Sequence, residues 1–111
     1  MYLIYYFFDI YIYSDMSNTI VKINNDYIVF NKGKYPYKYT AKIYFDGKLD
    51  KHKTVHFGHQ DYQQYKDTTP LKLYSDKDHL DKARRARYYS RHKTDYPKYS
   101  ADWFSKVFLW R

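Results

Sequence analysis

The sequence predicts an α+β fold: a small antiparallel sheet of one or two hairpins, followed by two C-terminal helices. Three observations carry that expectation. Residues 19–57 hold four short runs of β-branched and aromatic residues, separated by Asn, Asp, Gly and Pro. Residues 75–92 join helix-start chemistry to a run of good helix formers, with Pro97 beyond it. Residues 101–110 place Trp, Phe, Val and Leu behind Ser100, a residue suited to capping. The order β, β, β, β, α, α is that of helices packed on one face of a sheet.

Each element has its own grounds. Residues 19–23 (TIVKI) and 27–30 (YIVF) flank Asn24-Asn25-Asp26, a hairpin signal, and residues 31–36 read as a connection. Residues 37–45 (YKYTAKIYF) alternate aromatic or apolar with polar or cationic side chains, the period of a half-buried strand. Asp46-Gly47 marks a turn, and residues 53–57 (KTVHF) return, closed by Gly58. Residues 61–66 read as a short helical turn, interrupted by Thr68, Thr69 and Pro70, and residues 71–74 fit no single element. Ser75-Asp76-Lys77-Asp78 matches the S-x-x-D start of a helix, expected from about Asp76 to His92. Asp78–Lys82 and Asp81–Arg85 then become acid-before-base pairs one helical turn apart.

Residues 1–13 (MYLIYYFFDIYIY) are apolar or aromatic except for Asp9. The run is shorter than the roughly 20 residues of a membrane-spanning helix. Its first following cation is Lys22, and no small-residue cleavage site follows Tyr13, so a secretory signal is not expected either. Met16 offers an alternative start. Residues 1–15 therefore read as a dispensable or mis-assigned segment, and 16–111 as a single small α+β domain. A β-strand is the other reading of the run, one that invites aggregation if exposed.

Composition removes several function classes. The 111 residues include no Cys, which excludes a disulfide-stapled domain and a Cys-based zinc module. Gly33, Gly47 and Gly58 are the only glycines, so no Walker loop, GxGxxG turn or GxSxG elbow can be written. Aromatic residues make up 23% of the chain, Tyr alone numbering 17, and every acid is Asp. With no Cys and no export signal, the protein is expected inside a cell or packaged from the cytoplasm.

Lys and Arg total 20 against 12 acids, a net charge of +8 that favours polyanionic partners. The charge is concentrated. Lys82, Arg84, Arg85, Arg87, Arg91, Lys93 and Lys98 face one acid, Asp95, over seventeen residues. Arg84, Arg87 and Arg91 fall on one helical stripe, with Leu80, Ala83 and Ala86 beside it expected to face the core. Arg85 and His92 are expected to form a second line on the far side. Planar guanidinium forks suit phosphate oxygens. Arg84, Arg85, Arg87, Arg91 and Lys93 are thus candidate nucleic-acid contacts, with Tyr88 able to stack on bases or to pack in the core. Two other uses of the arginines stay open: pairing with aspartates between Asp50 and Asp102, or meeting an acidic partner protein.

Trp103, Phe104, Phe108 and Trp110 form an apolar band that reads either as core or as a docking surface for a partner or a second copy. His52, His56, His59 and Asp61 are weak metal candidates whose spacing matches no strong motif, so no metal and no other cofactor is expected. His59–Asp61 and His79–Asp81 lack an accompanying nucleophile or metal, and no catalytic residue is assigned.

Three separated stretches carry a resemblance. They read VHFGHQDYQQYKDTTPLKLYS over 55–75, DHLDKARRARYYSRH over 78–92 and YSADWFSKVFLW over 99–110. Over about residues 37–110 the chain resembles a family of small uncharacterised proteins of nucleocytoplasmic large DNA viruses, the giant viruses of algae and amoebae. The matching elements are HFG, DK-x-RR-x-x-Y-x-x-RH and the closing YS-x-x-WFS-x-x-x-LW. The resemblance implies a viral origin and a shared fold, and brings no catalytic or binding residues with it. The expected function is a non-enzymatic basic module that contacts nucleic-acid phosphates through residues 82–98. The alternative is a virion structural or interaction component binding acidic protein surfaces, and a metal-dependent enzyme stands third. The expected partners are nucleic acid, a viral protein or a second copy, with no membrane. The expected location is the host cell interior (cytoplasm or viral factory) or the virion, not the secreted space.

Overall fold

The computed structural model describes residues 20–111 in full and, before them, the backbone of two strands. The chain is α+β. A six-stranded antiparallel meander runs β1 (Leu3–Phe7), β2 (Ile10–Ser14), β3 (Ile20–Ile23), β4 (Asp26–Lys32), β5 (Tyr37–Tyr44) and β6 (Lys53–His59). Two helices follow, α1 (Lys82–Arg91) and α2 (Ala101–Leu109). The expectation that residues 1–15 are dispensable concerns side chains that lie outside the described residues. No helix among the described residues is long and apolar enough to cross a membrane.

The alternation seen in the sequence sets the sheet's two faces. The register pairs Ile28 with Ile43, Phe30 with Ala41, Ala41 with Val55 and Tyr39 with Phe57. All of these are buried, and α2 lays Phe104, Phe108 and Leu109 over them. Phe30 sits at the centre, its ring 5.0 Å from Phe108, 6.0 Å from Phe104 and 6.1 Å from Phe57. Each such side chain contributes about 2 kcal/mol by leaving water. The turns use residues that tolerate left-handed backbone: Asn24 (φ 54°), Asp46 (φ 55°) and Gly47 (φ 72°). At Gly58 (φ 74°) an added Cβ would lie 3.1 Å from both Leu109 Cδ1 and Lys38 Cβ, so only glycine lets those two side chains close over the end of β6.

Residues 60–81 depart from expectation. No helix forms over 61–66; Gln64 instead makes an isolated parallel bridge with Asp78. Ser75–Lys77 is a single 3-10 turn rather than a helix start. The helix begins only after Asp81, whose Oδ1 accepts from the amides of Ala83 (2.9 Å) and Arg84 (3.1 Å). Those amides hold the Asp81 carboxyl below its ordinary range, the Arg84 amide contributing most. The Asp78 carboxylate is claimed elsewhere, accepting from Gln64 Nε2 (2.6 Å) and the Asp67 amide (2.8 Å). Neither Asp78–Lys82 nor Asp81–Arg85 forms an ion pair: Asp78 lies outside the helix, and Arg85 turns onto the Tyr65 ring.

Candidate nucleic-acid interface and adjoining cavity

Helix α1 rests on aromatic rings, and this decides which of its residues face outward. Tyr88 is 7% exposed; its ring stacks on Trp110 and, at 4.2 Å, on His92. The Arg85 guanidinium lies 4.4 Å above the Tyr65 ring, and Arg84 Nη1 donates to Gln63 Oε1 (2.8 Å). Arg84, Arg85, Tyr88 and His92 thus form the inner face, while Leu80, Ala83 and Ala86 are exposed. This reverses the expected orientation of the helix. Over a ground of Tyr65, His79 and Trp110, a guanidinium plane and a phenol ring make closer cover than methyl groups.

The sequence candidates divide accordingly. Arg87, Arg91 and Lys93 are exposed, with Lys82 and Lys98. Arg84 and Arg85 are half-buried, and Arg85 belongs to the inner face rather than to a far-side cationic line. Tyr88 is no platform for bases, since Trp110 and His92 already stack on its ring.

Among the described residues, none of Arg84, Arg85, Arg87 and Arg91 is ion-paired with a carboxylate. The acids serve neutral donors instead. Asp26 accepts from Tyr99 Oη (2.6 Å) and the Asp46 amide, and Asp61 accepts from Tyr35 Oη (2.6 Å). Asp67 accepts from Tyr39 Oη, from the Thr69 hydroxyl (2.6 Å) and from the amides of Thr69 and Tyr74. Among the described residues the arginines of α1 thus make no ion pair with an aspartate, although Arg87 is near enough to Asp81 to help the Arg84 amide lower that carboxyl's pKa.

A cavity of about 490 Å³ opens where α1, the segment after it and α2 meet. Tyr89, Asp95, Tyr96, Trp103, Lys106, Val107 and Arg111 line it. The Lys106 ammonium lies 5.3 Å from the Tyr89 ring centre and 5.9 Å from that of Tyr96, and reaches the His92 carbonyl at 3.5 Å. Sequence reasoning passed over this site. Its only trace there is the interleaving of aromatic and cationic residues between Tyr88 and Arg111.

Two other sets of candidates are corrected. Phe104 and Phe108 are 0% and 2% exposed and belong to the core, because α2 turns them onto Phe30 and the sheet. Of the expected docking band, Trp110 lies under α1 and Trp103 lines the cavity. The four metal candidates are not gathered. His52 packs on Tyr44, His56 hydrogen-bonds Thr40 (2.9 Å) and stacks on Tyr37, and His59 stacks on Tyr62 with the Asp61 carboxylate 4.0 Å away. Each imidazole packs on a different aromatic neighbour, and no metal-holding group occurs among the described residues.

A buried polar cluster joins residues 62–78 to β5. The Lys38 ammonium, on a side chain 2% exposed, donates to the Tyr62 carbonyl (2.7 Å) and to Gln64 Oε1. Burial pulls its pKa down to about 8. A buried amine of this kind can mark a reactive site. The cavity beside α2 is not lined by Lys38, nor is a second one of about 410 Å³ at Phe45, Lys48 and His52. Two of the three ammonium protons of Lys38 go to acceptors at Tyr62 and Gln64, which ties that segment to β5. No protein-family model, curated protein or solved structure matches this chain.

Proposed function

We propose that the protein is a non-enzymatic nucleic-acid-binding module of a large DNA virus, holding phosphates through the exposed cations of α1 and the segment after it. The observation that carries this reading is a cluster of exposed cations without ion pairs. Arg87 and Arg91 lie one turn apart on the outer side of α1, Lys82, Lys93 and Lys98 flank them, and neither Arg87 nor Arg91 forms an ion pair among the described residues. Cations so placed attract polyanions over several ångströms and release counterions on contact. The viral origin rests on the three separated motifs in 55–110.

The test is a salt titration of binding to a random-sequence DNA duplex. The logarithm of affinity should fall linearly with the logarithm of salt, with a slope of about −0.9 per phosphate neutralised. Arg87→Ala with Arg91→Ala should weaken binding to every sequence alike and make the slope shallower by about two units. Circular dichroism of the double variant should match the parent, since both side chains point to solvent. A parent that binds neither duplex nor single-stranded DNA at low salt would sink the proposal and leave acidic protein surfaces as the partner of the same cations.

A further inference from the structure

We infer that the cavity between the end of α1 and α2 receives one nucleotide of a single strand, its base against Trp103 and Val107 and its phosphate toward Lys106. This rests on the reading of α1 as a phosphate-binding helix and specifies the kind of nucleic acid it serves. The cavity's size falls within the ~300–1,000 Å³ of small-ligand clefts, at about 490 Å³. Its wall combines the three things a nucleotide needs: aromatic rings for the base, cations for the phosphate, and an acceptor for base N–H groups.

Trp103 supplies the ring. It meets Tyr99, Phe104 and Phe108 at 85°, 84° and 72°, and among the described residues no ring lies parallel to it. Tyr88, Trp110 and His92, by contrast, are already engaged in parallel or near-parallel stacks. A base entering beside Trp103 would find a π-surface to lie against.

Lys106 supplies the charge. Two tyrosine rings and a backbone carbonyl hold its ammonium at the cavity without neutralising it, and it makes no ion pair among the described residues. Arg111 lines the same wall. Asp95, the one acid in the basic segment, also lines it. A carboxylate there repels phosphate and accepts from the exocyclic amino or ring imino groups of a base. The nucleotide is thereby oriented, base toward Asp95 and phosphate toward Lys106.

The cavity also continues the basic surface in sequence. Exposed Arg91 and Lys93 lead directly into Asp95 and Tyr96 of its wall. Bases in a duplex are stacked and paired, and cannot enter such a space without being extruded. A single strand lying along the arginines can insert one base at no such cost.

The experiment compares fluorescence anisotropy of a mixed-sequence 12-nucleotide DNA strand with that of its 12-base-pair duplex, for the full chain at about 150 mM salt. The parent should prefer the single strand roughly tenfold, the size of one base–aromatic stack. Val107→Trp, which fills the cavity, should abolish the preference, and Lys106→Gln should weaken single-strand binding by more than it weakens duplex binding. Arg87→Ala with Arg91→Ala should weaken both ligands together. Equal binding of strand and duplex by the parent would overturn this inference and leave the phosphate-binding reading standing. So would a Val107→Trp variant, folded by circular dichroism, that keeps the preference. Binding of neither ligand would overturn both.

Discussion

The indole of Trp110 lies parallel to the phenol ring of Tyr88, 0° between their planes and 4.4 Å between their centres. This stack fastens α1, which otherwise touches the rest of the molecule through the Arg85–Tyr65 and Arg84–Gln63 contacts and through Tyr89 beneath Lys106. Trp110 itself follows α2, whose Phe104 and Phe108 are core residues. The Tyr88–Trp110 stack thus ties the helix that carries the outer cations to the end of the core helix α2.

Replacing Trp110 with Ala should remove that fastening. Losing the stack and opening a partial void costs about 2 kcal/mol. The melting midpoint should drop by about 10 °C. Trp110→Phe should recover most of it. A variant Trp110→Ala that melts with the parent would show that α1 is anchored by other contacts.

Asp81 holds the start of α1 through two amides, a geometry in which Asn is nearly as good as Asp. Asp81→Ala should therefore reduce helical ellipticity at 222 nm and lower the melting midpoint by a few degrees, while Asp81→Asn should do neither. Equal losses in both variants would mean that the charge at this position matters more than the cap.

Stability should depend on alkaline pH in two opposing ways. Burial lowers the Lys38 pKa to about 8 from an ordinary value of 10.5. Between those values the unfolded chain binds a proton that the folded chain does not, so stability rises as pH rises. Tyr39, Tyr88 and Tyr99 act in the other direction. Burial raises all three phenols above 10.0, helped by Asp67 at Tyr39 and by Asp26 at Tyr99. Their stabilisation is complete below the unfolded value and is lost as pH climbs past it. Urea midpoints should rise from about pH 8 and turn over near pH 10. Lys38→Met should be less stable throughout, since Gln64 Oε1 and the Tyr62 carbonyl lose their donor, and should lack the rising limb. A rise that survives in Lys38→Met would assign it to another group.

Strands β3 to β6 were legible because their causes are local. Alternation at 37–45, and Asn24, Asp46 and Gly47 at left-handed turn positions, set them within a residue or two. Ser100 before α2 was legible for the same reason, its hydroxyl accepting from the Trp103 amide (3.2 Å). The start of α1 was not. Ser75-Asp76-Lys77-Asp78 has the right local chemistry, but the Asp78 carboxylate goes to Gln64 and the Asp67 amide, partners that only the folded chain brings near. The facing of α1 was missed because apolarity assigned Leu80, Ala83 and Ala86 inward, whereas the ground beneath is aromatic and takes Arg85 and Tyr88. The cavity draws on α1, its following segment and α2, and no single window contains it. The all-Asp acid set becomes partly intelligible. Asp67 and Asp81 accept from amides two and three residues ahead, a reach that suits the short side chain and not that of Glu.

The buried cluster around Lys38 and Asp67 has a consequence for exchange with solvent. Residues 62–74 form no helix and no strand beyond the single bridge at Gln64, yet most of their amides have acceptors. Lys66 and Thr68 donate to the carbonyls of Leu109 and Phe108, Leu73 donates to Tyr39 Oη (2.8 Å), and Tyr74 donates to Asp67 Oδ2 (3.2 Å). Deuterium should enter this stretch as slowly as it enters β4 and β5, on the timescale of global opening rather than of loop fraying. Because several acceptors are side chains, that protection is removable by one atom. Tyr39→Phe should expose the Leu73 amide to rapid labelling while Ile28 and Phe30 stay dark. A segment that looks like a loop on paper would then be, in the currency of isotope uptake, part of the slow core, with a single phenol oxygen keeping Leu73 in it.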